Sequence, residues 1–183
     1  MHTPHTRFYT VRKQPHGPWA RIWITDDGCF TTISDHGNFG YWWGGAGDNF
    51  RKFLCGCDDG YLIGKLSHGA TEYDGDRTRQ AVRELLQRLH DEGEDTRDEL
   101  NLLADAELDN EVGFARWLDH CGYTGDRTDR VVTHIDYYEL CSLAVYHAPM
   151  RVQMFVKHVW PLFIAALRAE LDAEAAPAQT SAS

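Results

Sequence analysis

A stretch of alternating residues between Trp19 and Gly45 constrains the fold more than any other part of the chain. In Trp19–Thr25 one face of an extended strand receives apolar side chains and the other a mixed set. Asp26-Asp27-Gly28 follows, and Asp-Gly between β-rich runs is a strong hairpin signal because the turn needs residues that tolerate positive φ. Return strands are predicted over 29–34 and 39–43, and a first strand over 7–13.

The pattern changes to a helical one after a polar linker at 67–76. Apolar residues at 82, 85, 86 and 89 have the spacing of an amphipathic helix. Thr96 with Glu99 matches a capping box, which predicts a second helix. Further helices are predicted near 108–121, 134–146 and 151–171, with Pro161 kinking or breaking the last. The run 61–66 fits a strand or a helical turn equally well.

These elements predict an α+β fold. An N-terminal antiparallel β-meander of three to four strands is followed by a helical region of about five helices packed against it. A single domain, 1–183, is expected, with sub-layers 7–67 (meander and a short helix with Asp48 as its N-cap) and 76–172 (helices). Residues 173–183 are expected to form a disordered tail.

The net charge of −10 is concentrated in one segment. Residues 71–140 hold eight Lys/Arg against nineteen Asp/Glu. Within them an acidic belt, residues 91–111, has Arg97 as its single basic residue. Such a belt either keeps the protein solvated or docks a basic partner. Its ten carboxylates are Asp91, Glu92, Glu94, Asp95, Asp98, Glu99, Asp105, Glu107, Asp109 and Glu111.

The sequence has no run of about 20 apolar residues and no charged-then-apolar leader, so no membrane association is expected and a cytoplasmic location is predicted. Five cysteines without such a leader predict free thiols.

Cys55 and Cys57, with His68 or Cys29, provide the soft ligands of a zinc or thiol site. Paired zinc ligands are usually separated by two or more residues, so a single intervening residue favours buried free cysteines. Cysteine–histidine pairs at 120–121 and at 134 and 141 have helical spacings that do not bring the two side chains together. The acidic residues around His90 fit a solvated helix end better than a metal site. We therefore assign no catalytic residue, metal or cofactor.

Trp19, Arg21 and Trp23 share one face of the second strand, and exposed aromatic residues beside arginines can stack nucleic-acid bases. The acidic net charge opposes the electrostatic attraction that dominates nucleic-acid affinity, so direct nucleic-acid binding is not expected. Trp19 and Trp23 are instead candidate contacts for a protein partner.

Three sequences carry a resemblance to bacteriophage and prophage proteins. They are WARIWITDDGCFTTISDHGNFGYWWG, FLCGCDDGYLIGKLS, which contains a run of the form YLxxKL, and the C-terminal VQMFVKHVWPLFIAALRAEL. The resemblance covers about half of the chain. It implies a phage accessory protein that acts inside a bacterium, and it transfers no active-site residue. Small acidic phage proteins include inhibitors of host defence, anti-CRISPR proteins among them, which is a likeness of class and not of motif.

The leading hypothesis is a non-enzymatic phage inhibitor. Its acidic belt would bind a basic, nucleic-acid-handling host protein, such as a CRISPR-Cas effector subunit. Two alternatives remain: a zinc- or thiol-dependent protein that uses Cys55, Cys57 and His68, and a structural or assembly protein of the virion. The oligomeric state is not predicted.

Overall fold

The computed structural model describes residues 3–121 and 137–176. In chain order its elements are β1 (Thr6–Arg12), β2 (Trp19–Thr25), β3 (Cys29–Ser34), β4 (Gly37–Trp42), α1 (Phe50–Cys55), α2 (Asp59–Leu66), β5 (Glu72–Tyr73), α3 (Gly75–Asp91), α4 (Arg97–Asp105), α5 (Glu111–His120), α6 (Tyr137–Ser142), β6 (Tyr146–His147), α7 (Met150–His158) and α8 (Trp160–Ala175). The predicted α+β class is confirmed. Eight helices lie in the described residues, more than expected.

The chain divides into two compact units. Residues Met1–Ala70 and Ala148–Ser183 form the first, called here the sheet unit. Residues Thr71–His147 form the second, called here the acidic unit. The acidic unit is therefore inserted, in chain order, between the two segments of the sheet unit.

The sheet unit is built on a four-stranded antiparallel sheet in the order β1-β2-β3-β4. The predicted bounds of β2 and β3 agree with the structure, and β1 and β4 each begin one or two residues earlier than predicted. Gly28 has a φ of 93°, and a Cβ there would lie 2.3 Å from the carbonyl oxygen of Trp43. The Asp-Gly turn therefore needs glycine for both its conformation and its close contact.

Helices α1, α2, α7 and α8 belong to the same unit as the sheet. The ambiguous run 61–66 is helical, and Asp58 accepts a hydrogen bond from the Tyr61 amide at its start. Asn49, rather than the predicted Asp48, caps α1, because its side chain accepts a hydrogen bond from the Lys52 amide. Pro161 lies in the first turn of α8, and the predicted break falls at Val159 between α7 and α8. Helix α8 reaches Ala175, three residues into the predicted tail, and the tail beyond 176 lies outside the described residues.

The core of the sheet unit is aromatic. Phe30 has no exposed surface, and its ring centroid lies 5.7 Å from that of Trp160 and 6.0 Å from that of Phe163. These contacts join β3 to α8. The alternating residues Ala20, Ile22 and Ile24 face this core, each at most 2% exposed, as their spacing predicts. The sheet therefore has one covered and one open face.

The acidic unit has a separate core among its helices. Leu86 and Leu140 are fully buried there, together with Trp117 at 3% exposure. The strands β5 and β6 pair Glu72 with His147 and so bring the two ends of the unit together. The part of the fourth predicted helix before 137 lies outside the described residues.

The predicted capping box at Thr96 and Glu99 is not formed. The Thr96 hydroxyl donates to the carbonyl oxygen of Leu86 at 3.0 Å, and it accepts no hydrogen bond from α4. Glu99 is 1% exposed and points into the core instead of back to the cap. A tertiary hydrogen bond has replaced the local one.

Candidate functional site

The predicted belt carboxylates differ in their exposure to solvent. Eight of the ten are exposed, Glu94 is half-buried and Glu99 is buried. Asp95 is paired with Arg97 at 2.7 Å. For Glu92, Asp98, Asp105, Glu107 and Asp109, no basic group lies within 4 Å among the described residues. Most of the belt's charge is thus unpaired and open to solvent, whereas Glu99 is not on the surface.

Glu99 is the exception in electrostatic terms as well. Within the described residues, neither carboxyl oxygen has a hydrogen-bond partner of good geometry. Burial raises the pKa of Glu99 above its usual 4.5, and the nearby backbone amide of the same residue opposes this shift only in part. The pKa of Cys121 is raised to about 12, mainly by burial and to a smaller extent by the charge of Glu99. Neither group suits a solvent-facing site.

A groove in the acidic unit brings three belt carboxylates together. It is an open cavity of about 340 Å³ between the end of α4 and the start of α5. Arg79 fixes the end of α4, because its guanidinium donates to the carbonyl oxygens of Leu103 and Ala106. The three carboxylates are those of Asp105, Glu107 and Asp109. The other residues that line the groove are Leu102, Ala106, Asn110, Gly113, Arg116, Trp117 and His120.

The start of α5 lies close to the loop that carries Glu107, and Gly113 makes this close contact possible. Asn110 caps α5 by accepting a hydrogen bond from the Gly113 amide at 3.0 Å. A Cβ at Gly113 would lie 1.8 Å from the carbonyl oxygen of Glu107, so the loop carrying the carboxylates can pass only over a glycine. The lining has three carboxylates against one guanidinium group, Arg116, beside apolar side chains, and this net negative charge suits a Lys or Arg side chain with its hydrocarbon stem.

The open face of the sheet is the second candidate surface. Strand register puts Phe8 opposite Trp23, and their ring centroids are 5.2 Å apart. Phe8 is 54% exposed and Trp42, on the same face, is 63% exposed, while Trp19 and Trp23 are half-buried. The predicted contacts Trp19 and Trp23 therefore lie on a larger aromatic surface. Phe8 and Trp42 were not identified from the sequence, and strand pairing places them on this face opposite Trp23 and Cys29.

Comparison with protein-family models places residues 1–169 in a phage family. The match covers the whole acidic unit and the described residues of the sheet unit up to residue 169. The chain belongs to this phage family. A search of curated proteins and a search of solved structures each found no match. The resemblance to phage proteins is confirmed at this level, and the anti-CRISPR class stays a prediction.

The cysteines of this phage protein do not meet in a site. The Cys57 thiol donates a hydrogen bond to the carbonyl oxygen of Phe53. The pKa of Cys57 is raised to about 11, mainly by burial. Burial likewise raises the pKa of Cys55, so both remain protonated. The His68 ring lies 2.9 Å from the carbonyl oxygen of Gly40. Across residues 3–121 and 137–176, no three His, Cys, Asp or Glu side chains are grouped to hold a metal ion.

The other two cysteine–histidine pairs do not form a described site either. The His120 ring lies 2.8 Å from the carbonyl oxygen of Arg116, while Cys121 is buried. Cys141 and His134, whose spacing predicts no contact, stay a prediction, because His134 lies outside the described residues. No helix in the described part of the phage protein has the length and apolar content to cross a membrane.

Proposed function

We propose that this phage protein acts by binding a basic host protein through its acidic unit. In this proposal the partner is a nucleic-acid-handling factor, of which a CRISPR-Cas effector subunit is one example, and binding inhibits it. The observation that carries the proposal is the groove that Asp105, Glu107 and Asp109 line together with apolar side chains. All three carboxylates are exposed, and none has an ion-pair partner within 4 Å in the described part of the chain.

The charge of the acidic unit supports the proposal, because it would attract a basic partner before the two proteins touch. The acidic unit holds eight Lys/Arg against nineteen Asp/Glu, so its field attracts a basic surface at long range. Such steering speeds encounter and weakens as salt screens it, over a distance of about 8 Å at physiological ionic strength. The groove then supplies a place where one cationic side chain of the partner is held by several carboxylates.

The test is charge reversal at the groove. The variant carries Asp105→Lys, Glu107→Lys and Asp109→Lys, and it is compared with the unmodified protein in capture from the bacterial host. Captured proteins are identified by mass spectrometry, and the association rate of each purified candidate is measured at low and high salt. We expect the variant to lose at least about tenfold in association rate at low salt, and the unmodified protein to lose rate as salt rises.

A control variant separates the groove from general acidity. Glu84→Lys, Asp91→Lys and Glu92→Lys make the same charge change on exposed positions of α3 and its end, away from the groove lining. We expect it to keep most of the binding. Equal losses in both variants would show that net charge alone matters, and no loss in either would contradict the proposal.

A further inference from the structure

The open face of the sheet differs from the rest of the molecule in its charge. Fourteen strand positions point to this face, and the register of the four strands places them in rows. They are Thr6, Phe8, Thr10, Arg12, Trp19, Arg21, Trp23, Thr25, Cys29, Thr31, Ile33, Asn38, Gly40 and Trp42. The sheet unit has nine Asp/Glu, yet none of them occupies a position on this face.

Three carboxylates do lie close by, in the turns at the edges of the sheet. Asp26 accepts a hydrogen bond from the His5 amide at 3.0 Å, and Asp27 accepts one from the Thr25 hydroxyl. Asp35 accepts one from the Trp19 amide at 3.4 Å. These carboxylates keep their charge but lie in the turns, and the charged side chains that project from the face itself are the exposed guanidinium groups of Arg12 and Arg21.

The exposed aromatic side chains of this face are held in place. Trp42 is 63% exposed, and its indole N–H donates to the carbonyl oxygen of Asp27 at 2.9 Å. Its ring lies over Gly44, where a Cβ would come within 2.9 Å of it. Phe8 is 54% exposed and packs against Trp23 across the strand pair. Rigid exposed rings cost little conformational entropy when a ligand stacks on them.

The size of the face argues against a large protein partner. Four strands about 4.8 Å apart, with six or seven residues each, span a projected area of roughly 400 Å². A standard-size protein interface buries about 800 Å² of accessible surface on each partner, so a protein bound here would have to extend beyond the four strands. A surface this small, with stacking rings, two guanidinium groups and a row of hydroxyl and amide side chains, fits a short flexible chain of aromatic rings joined by anionic links.

We infer that the open face of the sheet binds single-stranded nucleic acid. Bases would stack on Trp42, Phe8 and Trp23, and Arg12 and Arg21 would contact phosphates. The net charge of the whole chain argues against nucleic acid, but the sheet unit alone has ten Lys/Arg against nine Asp/Glu. The two charged side chains on the strand positions of this face, Arg12 and Arg21, are both positive. Stacking tolerates any base, so weak sequence preference is expected. This inference is independent of the proposed function, which uses the acidic unit.

The test uses the full chain and a fluorescently labelled oligothymidylate of about 12 nucleotides, at about 50 mM salt, with anisotropy as the readout. An oligouridylate and a DNA duplex of the same length are parallel probes. We expect both single strands to bind and the duplex to bind far more weakly, because its bases are not free to stack. Trp42→Ala and Phe8→Ala should each raise the Kd between about 5-fold and 100-fold.

The cationic contribution has its own readout. Arg21→Ala should weaken binding and reduce the slope of log Kd against log salt concentration by about 0.7, the value for one phosphate contact with a single strand. Lys52→Ala removes one exposed positive charge from α1, and Tyr146→Ala removes a ring that is 47% exposed in the acidic unit. Both controls should bind within about twofold of the unmodified protein. Circular dichroism confirms that each variant is folded.

Three results would overturn the inference. One is the absence of binding to either single strand at low salt. Another is unchanged binding by the folded Trp42→Ala and Phe8→Ala variants. The third is a dimer of this chain that Trp42→Ala dissociates, since the face would then be a contact between copies. The groove variant with three lysines should bind these probes at least as well as the unmodified protein. Nucleic-acid binding by the sheet and protein binding by the groove can therefore fail independently of each other.

Discussion

The two units of this phage protein use charge in opposite ways. In the sheet unit, ten basic residues nearly balance nine acidic ones, and several are paired across elements. Arg7 lies 2.5 Å from Glu170, and Arg51 makes two hydrogen bonds to Glu174, at 2.9 and 2.7 Å. In the acidic unit, most belt carboxylates have no such partner. Charge in the first unit joins β1 and α1 to α8, whereas charge in the second faces the solvent.

The units also differ in how the chain builds them. The sheet unit needs two distant segments, because α7 and α8, at the C-terminal end of the described chain, cover the sheet formed by the first 42 residues. The acidic unit is continuous, and the pairing of β5 with β6 closes its ends. Inserted domains are tolerated where their ends lie close together. We therefore expect the two units to unfold as separate cooperative units.

Phe30→Ala should produce the largest loss of stability. The ring is fully buried among Trp43, Phe155, Trp160 and Phe163, and its removal should cost the sheet unit about 3–5 kcal/mol. Peptide-level hydrogen exchange in increasing urea measures the two units separately. Peptides from β2 and α8 should lose protection, while those from α3 should not.

Leu86→Ala is the matched change in the acidic unit. Leu86 is also fully buried, and its truncation should cost about 2–5 kcal/mol, with the loss confined to peptides of the acidic unit. Equal loss of protection in both units from either variant would show that they form one cooperative unit, as the sequence-based expectation of a single domain implies.

Local pattern predicted the sheet well for a physical reason. The period of two in Trp19–Thr25 and Cys29–Ser34 decides which side chains are buried, and the Asp-Gly turn decides the pairing, so the signal is contained in adjacent residues. The same reasoning failed at Thr96, whose hydroxyl partner is Leu86, ten residues away. No local pattern announces a hydrogen bond of that kind.

The candidate site was predictable only in part. Composition located the acidic belt but treated its carboxylates as equivalent, because sequence does not show which of them surround a cavity. Asp105, Glu107 and Asp109 meet at the groove through a turn that Gly113 permits, and Glu99 is buried through the packing of α4. Both outcomes depend on helix packing that the spacing of apolar residues does not specify.

Glu99→Gln should produce a smaller, pH-dependent effect in the acidic unit. Because burial raises the folded-state pKa of Glu99 above its usual 4.5, folding favours the protonated form. The stability that Glu99 contributes is therefore lost as the pH rises from about 4.5 through the raised pKa. The amide cannot ionise, so we expect the variant to be more stable at pH 7 by about 1–2 kcal/mol.

Denaturation of the acidic unit between about pH 4 and pH 8 measures this dependence. Glu92→Gln is the control, because Glu92 is an exposed carboxylate of the same unit that is not among the groups that shift the pKa of Glu99. It should leave the slope of stability against pH nearly unchanged. A Glu99→Gln variant with the pH dependence of the unmodified protein would contradict this prediction, because it would show that the pKa of Glu99 is the same in the folded and unfolded states.

Arg97→Ala should have the smallest effect on stability. Arg97 lowers the pKa of Asp95 to about 2 through short hydrogen bonds, but both side chains are at least two-thirds exposed. Water and salt screen such pairs, so no measurable shift in the midpoint of denaturation is expected. Its effect should appear in binding instead. Arg97 is the single basic residue of the belt, and its loss should modestly speed association with a basic partner at low salt. A clear loss of stability would instead show that the belt, like the ion pairs of the sheet unit, is structural.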